Sequence, residues 1–111
     1  MAGDTWKVMD INALRANLGD KPVAYKEFLR VPSLSCGLYR LKKGSKDMQT
    51  PHDEDEMYYV LEGRARLKVG DGEKEITAGT ALFIQADETH SFFEIEEDMT
   101  LLVFFASARP E

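Results

Sequence analysis

Residues 57–77 read MYYVLEGRARLKVGDGEKEIT and carry the strongest strand signal in the chain. Arg64 to Val69 alternates polar and apolar side chains, which is the period of a strand with one buried face. The turn residues Gly70-Asp71-Gly72 follow, and Glu73 to Thr77 is expected to be the return strand of a hairpin. Before the hairpin, Met57 to Glu62 holds two tyrosines and a valine, which favour strand over helix. The stretch therefore predicts antiparallel β-structure.

Similar short apolar runs, separated by turn residues, lie on both sides of this hairpin. We predict further strands over Val23 to Arg30, Leu34 to Leu41, Ala81 to Ile84, His90 to Ile95 and Thr100 to Ala106. Together these make about eight strands at a regular spacing, which is typical of an all-β sandwich or barrel.

Residues 1–22 lack this pattern and are expected to be a lead-in to a β-domain over residues 23–111. A short helix is predicted from Ile11 to Leu18, with Asp10 as its N-cap and Gly19 ending it. Pro22 then prevents easy continuation of the helix.

Composition narrows the class of protein. The 111 residues suffice for one domain with its own core. The net charge of -6 disfavours nucleic acid as a partner, because phosphate binding needs a basic surface. The longest apolar run, Leu101 to Ala106, is far shorter than the ~20 residues that span a membrane. No secretory signal is recognisable, and the single cysteine, Cys36, fits a reducing cytoplasm.

Only two histidines occur, His52 and His90, and Glu56 follows His52 by four residues. On a straight strand His52 and Glu56 would lie ~13 Å apart, so they can share an ion only if the chain turns between them. Two imidazoles and one carboxylate with open positions suit Fe(II), Mn(II) and similar ions. The residues alone leave a second interpretation open, in which His52 and His90 are loop residues and Glu56 belongs to a solvated acidic run.

The same residues resemble the two sequence motifs of the cupins. Residues 44–63, GSKDMQTPHDEDEMYYVLEG, match the spacing of the first motif, Gly-x5-His-x-His-x3-Glu-x6-Gly, with Thr50 in place of the first histidine. The second motif is represented by Gly79 and His90, whereas Gln85, Asp87 and Glu94 depart from its Pro, Gly and Asn. The resemblance covers about residues 23–106.

The resemblance implies a single-domain cupin barrel, a jelly roll or double-stranded β-helix, with a short N-terminal helix. It implies one divalent transition metal (Fe, Mn, Ni or Zn) held by His52, Glu56 and His90. The missing first histidine leaves three alternatives. In the first, the three residues form a complete triad. In the second, an oxygen ligand such as Gln49 or Glu94 joins them, because Thr50 itself is a poor ligand. In the third, the metal has been lost.

Strand alternation extends the candidate site. If Glu56 faces the barrel interior, so do Tyr58 and Val60, and His90, Phe92 and Glu94 share another inner face. Tyr58 is a candidate hydrogen-bond donor to a bound ligand. Glu94 is a candidate general base or a partner that orients His90, unless it lies in water at the barrel mouth. The expected walls of the pocket are Phe92, Val60, Leu101, Val103 and Phe105.

Several functions are compatible with this site. We expect a mononuclear metal-dependent enzyme, a dioxygenase-like oxidoreductase or an isomerase or lyase, acting on a small oxygen-bearing metabolite. The alternatives are a non-catalytic module that binds a small molecule and a structural cupin. Phe93, Leu102 and Phe104 place apolar side chains on the outer face as well, where the N-terminal helix or, in a homodimer, a second subunit would cover them.

Overall fold

The computed structural model describes residues 5–47 and 53–106, and within these ranges the chain forms one short helix and six strands. The elements are α1 (Ile11–Ala16), β1 (Val23–Val31), β2 (Leu34–Leu41), β3 (Asp55–Val69), β4 (Gly72–Thr77), β5 (Ala81–Ile84) and β6 (His90–Ala106). The strands form one antiparallel sheet in the order β1-β2-β6-β3-β4, and β5 pairs with the first half of β3. The predicted all-β class is confirmed.

The predicted number of strands is wrong because two expected breaks are bends within continuous strands. Gly63 lies inside β3 with φ +103, and pairing between β3 and β6 continues on both sides of it with shifts of register. In β6 the extra residues fall between Phe93 and Glu97, and Glu94 adopts φ 47. Such bulges bend a strand and increase its twist without ending it. β3 and β6 therefore each contribute to two parts of the barrel.

The inner face of the bent sheet holds one apolar core. Tyr39 of β2, Leu101 of β6 and Val60 of β3 are neighbours across the strands, and each is at most 5% exposed. The side chains expected to wall a pocket all belong to this core cluster: Phe92, Val60, Leu101, Val103 and Phe105. The candidate site lies against this core.

The helix α1 begins where predicted and ends earlier. The Asp10 side chain accepts a hydrogen bond from the Ala13 amide (3.2 Å), as an N-cap residue does. The helix stops at Ala16 rather than at Leu18, and Gly19 follows in a left-handed conformation. An ion pair of 2.6 Å between Arg15 and Glu62 ties α1 to β3. Within residues 5–47 and 53–106 no helix has the length and hydropathy needed to span a membrane.

Candidate metal centre

Glu56 is a carboxylate buried inside the barrel. It is the second residue of β3, just after the bends at Asp53 and Glu54, and it is 2% exposed. Burial alternates along the strand from this point: Tyr58 and Val60 are fully buried, whereas Met57 and Tyr59 are 44% and 41% exposed. A buried carboxylate is costly unless a positive partner or hydrogen bonds stabilise it, so its neighbours decide what it can do.

His90 begins β6, and its ring is held in one orientation. Its Nδ1 lies 3.0 Å from the backbone carbonyl oxygen of Glu88. A carbonyl only accepts hydrogen bonds, so Nδ1 carries a proton, and Nε2 is the ring nitrogen that faces Glu56 and Tyr58. Histidines that bind metals are fixed by the same kind of contact.

The turn before His90 explains how this orientation arises. Its backbone closes with a hydrogen bond of 3.2 Å from the Glu88 amide to the Gln85 carbonyl. Asp87, which replaces the motif glycine, has φ 65. Aspartate is one of the few residues that tolerate this left-handed conformation. The substitution therefore retains the turn that places the Glu88 carbonyl beside His90.

The bends in the sheet bring Glu56 and His90 together. His90 pairs with Val69, thirteen residues farther along β3 than Glu56, which on a flat strand would separate them by about 43 Å. Instead His90 Nε2 lies 3.3 Å from Glu56 Oε1, and both side chains are 2% exposed. The hydroxyl of Tyr58 lies 3.1 Å from the same nitrogen. The barrel thus closes on a carboxylate, an imidazole and a phenol.

This arrangement fits a metal ion. Two ligand atoms at adjacent positions on an ion with bonds of about 2.1 Å lie about 3.0–3.4 Å apart, and the distance from Oε1 to Nε2 is 3.3 Å. The donor set of one carboxylate and one imidazole suits first-row transition metals. Within residues 5–47 and 53–106, no third histidine, cysteine or acidic side chain joins the pair to complete a site. The other predicted ligand, His52, lies outside these ranges, as do Gln49 and Thr50.

Glu94 does not lie where strand alternation predicts. The bulge in β6 interrupts the alternation after Phe92, so that Ile95 is buried and Glu94 is exposed. Glu94 borders a surface cleft beside Lys43, Arg64 and Glu96. The expectation that it shares an inner face with His90 is therefore wrong, and its position agrees with the solvated alternative.

Two tyrosines that the sequence did not single out are neighbours across β1 and β2, Tyr39 buried and Tyr25 46% exposed. Tyr39 donates a hydrogen bond to Asp47 (2.7 Å), and burial together with this bond raises its pKa. Tyr25 packs over Gly37, where a side chain would collide with its ring, and burial, followed by the charge of Glu27, raises its pKa to about 12. Their cross-strand pairing, Tyr25 with Tyr39, depends on a register shift between Glu27 and Leu29 that the predicted strand bounds do not contain. Both phenols therefore stay protonated at neutral pH.

Asp47 is a further residue that the sequence did not single out. Its Oδ2 accepts a hydrogen bond from the Phe92 amide (2.9 Å), so this carboxylate links the segment that follows β2 to strand β6. No motif indicated this residue, because its role depends on a contact 45 residues away along the chain.

Comparisons with known proteins agree with this architecture. The family model described as "Cupin domain" matches residues 37–105, which is more than half of the chain. An uncharacterized protein of Streptomyces coelicolor is 37% identical over 100 residues, covering 90% of this chain and 95% of that protein.

Solved structures extend the comparison. The structure of TT1209 from Thermus thermophilus is similar with a TM-score of 0.76 and 27% identity, covering 95% of this chain and all of that one. The salicylate 1,2-dioxygenase of Pseudoaminobacter salicylatoxidans has a TM-score of 0.71 at 16% identity, covering 78% of this chain and 25% of that one. At this identity the second likeness concerns the fold alone.

Proposed function

Because the chain belongs to the cupin family, we propose that it is a mononuclear metal-dependent enzyme whose ion is held by His52, Glu56 and His90. The observation that carries the proposal is the buried pair of Glu56 Oε1 and His90 Nε2, 3.3 Å apart. A buried carboxylate and a ring nitrogen that face each other away from water favour a positive charge between them. The contact of Nδ1 with the Glu88 carbonyl fixes the ring so that Nε2 faces that point.

The proposed substrate is a small oxygen-bearing metabolite. A bound Fe, Mn, Ni or Zn ion supplies Lewis acidity toward a substrate oxygen and, if it is redox-active, oxygen chemistry of the dioxygenase kind. The chain contributes the apolar surroundings: Phe92, Val103 and Phe105 are each at most 8% exposed and limit access of water. The Tyr58 hydroxyl is the polar group beside the ligand atoms.

The first test is the metal content of protein purified without chelator or affinity-tag metal. We expect about one transition-metal ion per chain, and its loss in Glu56→Gln and in His52→Ala, because each substitution removes a ligand. Glu54→Gln is the matched control: it changes a carboxylate in the same acidic run, two residues from Glu56. If Glu56→Gln and His52→Ala bind metal as the parent does, the ligand assignment is wrong.

Replacement of the first motif histidine by Thr50 favours a second candidate, a metal-free module that binds a small molecule. In that case Tyr58 and His90 would act as hydrogen-bonding groups for the ligand. This function replaces the first if the parent binds none of Fe(II), Mn(II), Ni(II) or Zn(II) when each is added back. Ligand screening by thermal shift would then identify the metabolite.

The proposal includes a homodimer in the cytoplasm. Met57, Tyr59 and Phe83 are exposed, and Met57 pairs across the sheet with both Phe83 and Phe104. We call these four residues the outer apolar patch. Contiguous exposed apolar surface of this kind marks an interaction site, and a second copy of the chain is the partner proposed here. The lone cysteine, Cys36, is buried and unpaired with another cysteine, as suits a reducing compartment.

A further inference from the structure

We propose that Tyr58 is itself a ligand of the ion, and that its phenol oxygen completes the site that the replacement of the first motif histidine leaves one donor short. This inference rests on the proposed metal-binding function. It concerns an atom, Tyr58 Oη, that the motif does not include among the ligands.

The distances carry the assignment. Tyr58 Oη lies 3.1 Å and Glu56 Oε1 lies 3.3 Å from His90 Nε2. Both separations fall within the about 3.0–3.4 Å expected between adjacent ligands of one ion. Glu56 and Tyr58 are two residues apart on one face of β3, so the strand directs both oxygens to the same side.

The phenol is also held in place. Tyr58 is fully buried, and its ring packs edge-on against Phe92, with centroids 5.3 Å apart and planes at 81°. A ligand on a rigid strand with a packed ring needs little reorganisation when an ion binds. Thr50 offers no equivalent donor, because an aliphatic hydroxyl gives up its proton to a metal much less readily than a phenol does.

Charge favours the same assignment. A divalent ion bound to one carboxylate and two neutral imidazoles leaves a net positive charge in a buried site, which is unfavourable. Coordination by Tyr58 releases its phenol proton to solvent, and the resulting phenolate balances the second charge of the ion. Proton release on metal binding is the usual behaviour of such ligands.

The competing explanation makes the opposite prediction. If Tyr58 only donates a hydrogen bond to His90 Nε2, it occupies the lone pair that the ion needs, and removing the hydroxyl would tighten metal binding. If Tyr58 is a ligand, removing the hydroxyl weakens binding. The sign of one measurement therefore separates the two roles.

The experiment compares Tyr58→Phe with Tyr59→Phe, a control on the same strand whose side chain is 41% exposed on the outer face. Dissociation constants for Zn(II) and Co(II) are measured by competition with a chelator. We expect Tyr58→Phe to bind at least about tenfold more weakly, and Tyr59→Phe to match the parent. Equal or tighter binding by Tyr58→Phe overturns the proposal while leaving the metal function intact.

A second measurement uses the parent protein, so it does not depend on whether a variant folds. Parent protein loaded with Fe(III) from its nitrilotriacetate complex should show the visible charge-transfer absorption of a phenolate bound to ferric iron. Absence of this band from the loaded parent overturns the assignment. If the parent binds neither iron nor the other ions, the proposed metal function fails, and this inference fails with it.

Discussion

Gly63 shows how one residue permits the barrel to close. Its φ of +103 is a conformation that side chains rarely adopt, and an added Cβ would lie 2.6 Å from Met99 Cα and 2.9 Å from the Asp98 carbonyl carbon. The backbones of β3 and β6 meet there without space for a methyl group. The last glycine of the first motif therefore serves the bend that brings Glu56 and His90 together.

We expect Gly63→Ala to lower the free energy of unfolding by about 2–4 kcal/mol, because backbone strain and overpacking add. The measurement is urea denaturation followed by circular dichroism. Gly19→Ala is the matched control: Gly19 also has positive φ (+83), but nothing lies within 4 Å of an added Cβ. It should cost about 1 kcal/mol. Equal losses for the two variants would contradict the close approach at Gly63.

At the scale of single residues, the sequence identifies Glu56 and His90 as candidate ligands, but it does not show where the histidine proton lies or which atoms are in contact. Glu56 can be recognised from its spacing within the first motif, by counting residues along the sequence. The proton on His90 Nδ1 depends on the Glu88 carbonyl, and the contact of Tyr58 with Nε2 depends on the closure of the barrel. Both are products of tertiary structure, which a linear pattern does not encode.

Among the elements, the strands that are bounded by recognisable turn residues were predicted best. β2 and β5 have the predicted bounds, and β1 extends one residue beyond them, because Pro, Gly and charged residues mark their ends. β3 and β6 were each predicted as two strands. Local turn signals there are overridden by cross-strand pairing that continues through the bulges.

The bulge in β6 provides a test at this scale. Glu94 has φ 47, where glycine is better tolerated, so we expect Glu94→Gly to leave stability unchanged or to raise it by up to about 1 kcal/mol. Lys68→Gly, in the regular part of β3, should instead lower it by about 1 kcal/mol. Thermal unfolding of both variants measures the difference. A loss at Glu94 as large as that at Lys68 would show that the bulge does not need a left-handed residue.

For the whole molecule, the proposed homodimer makes the outer apolar patch the surface to test. Its most exposed member, Phe83, is 62% exposed, and an interface there would remove that surface from water. We expect light scattering to give twice the chain mass of 12.6 kDa for the parent. Phe83→Asp should give the mass of one chain, because it places a charge in the interface.

Thr77→Asp is the control for this measurement, since it adds the same charge to an exposed position on β4. The control should remain dimeric. If Phe83→Asp also remains dimeric with its fold intact, the subunits associate through another surface.

The pairing of β3 with β6 has a consequence for how the protein is made. Asp55 pairs with Ala106, and Leu34 pairs with the same residue, so contacts that close the barrel join segments roughly 50 to 70 residues apart. Such distant contacts slow folding and leave unpaired strand edges exposed meanwhile. During synthesis β2 can pair with β1, and β3 with β4 and β5, but the edges of β2 and β3 that pair with β6 stay open until β6 is made. Until then neither Glu56 nor Tyr58 has His90 beside it, so the candidate site forms only when β6 joins the sheet.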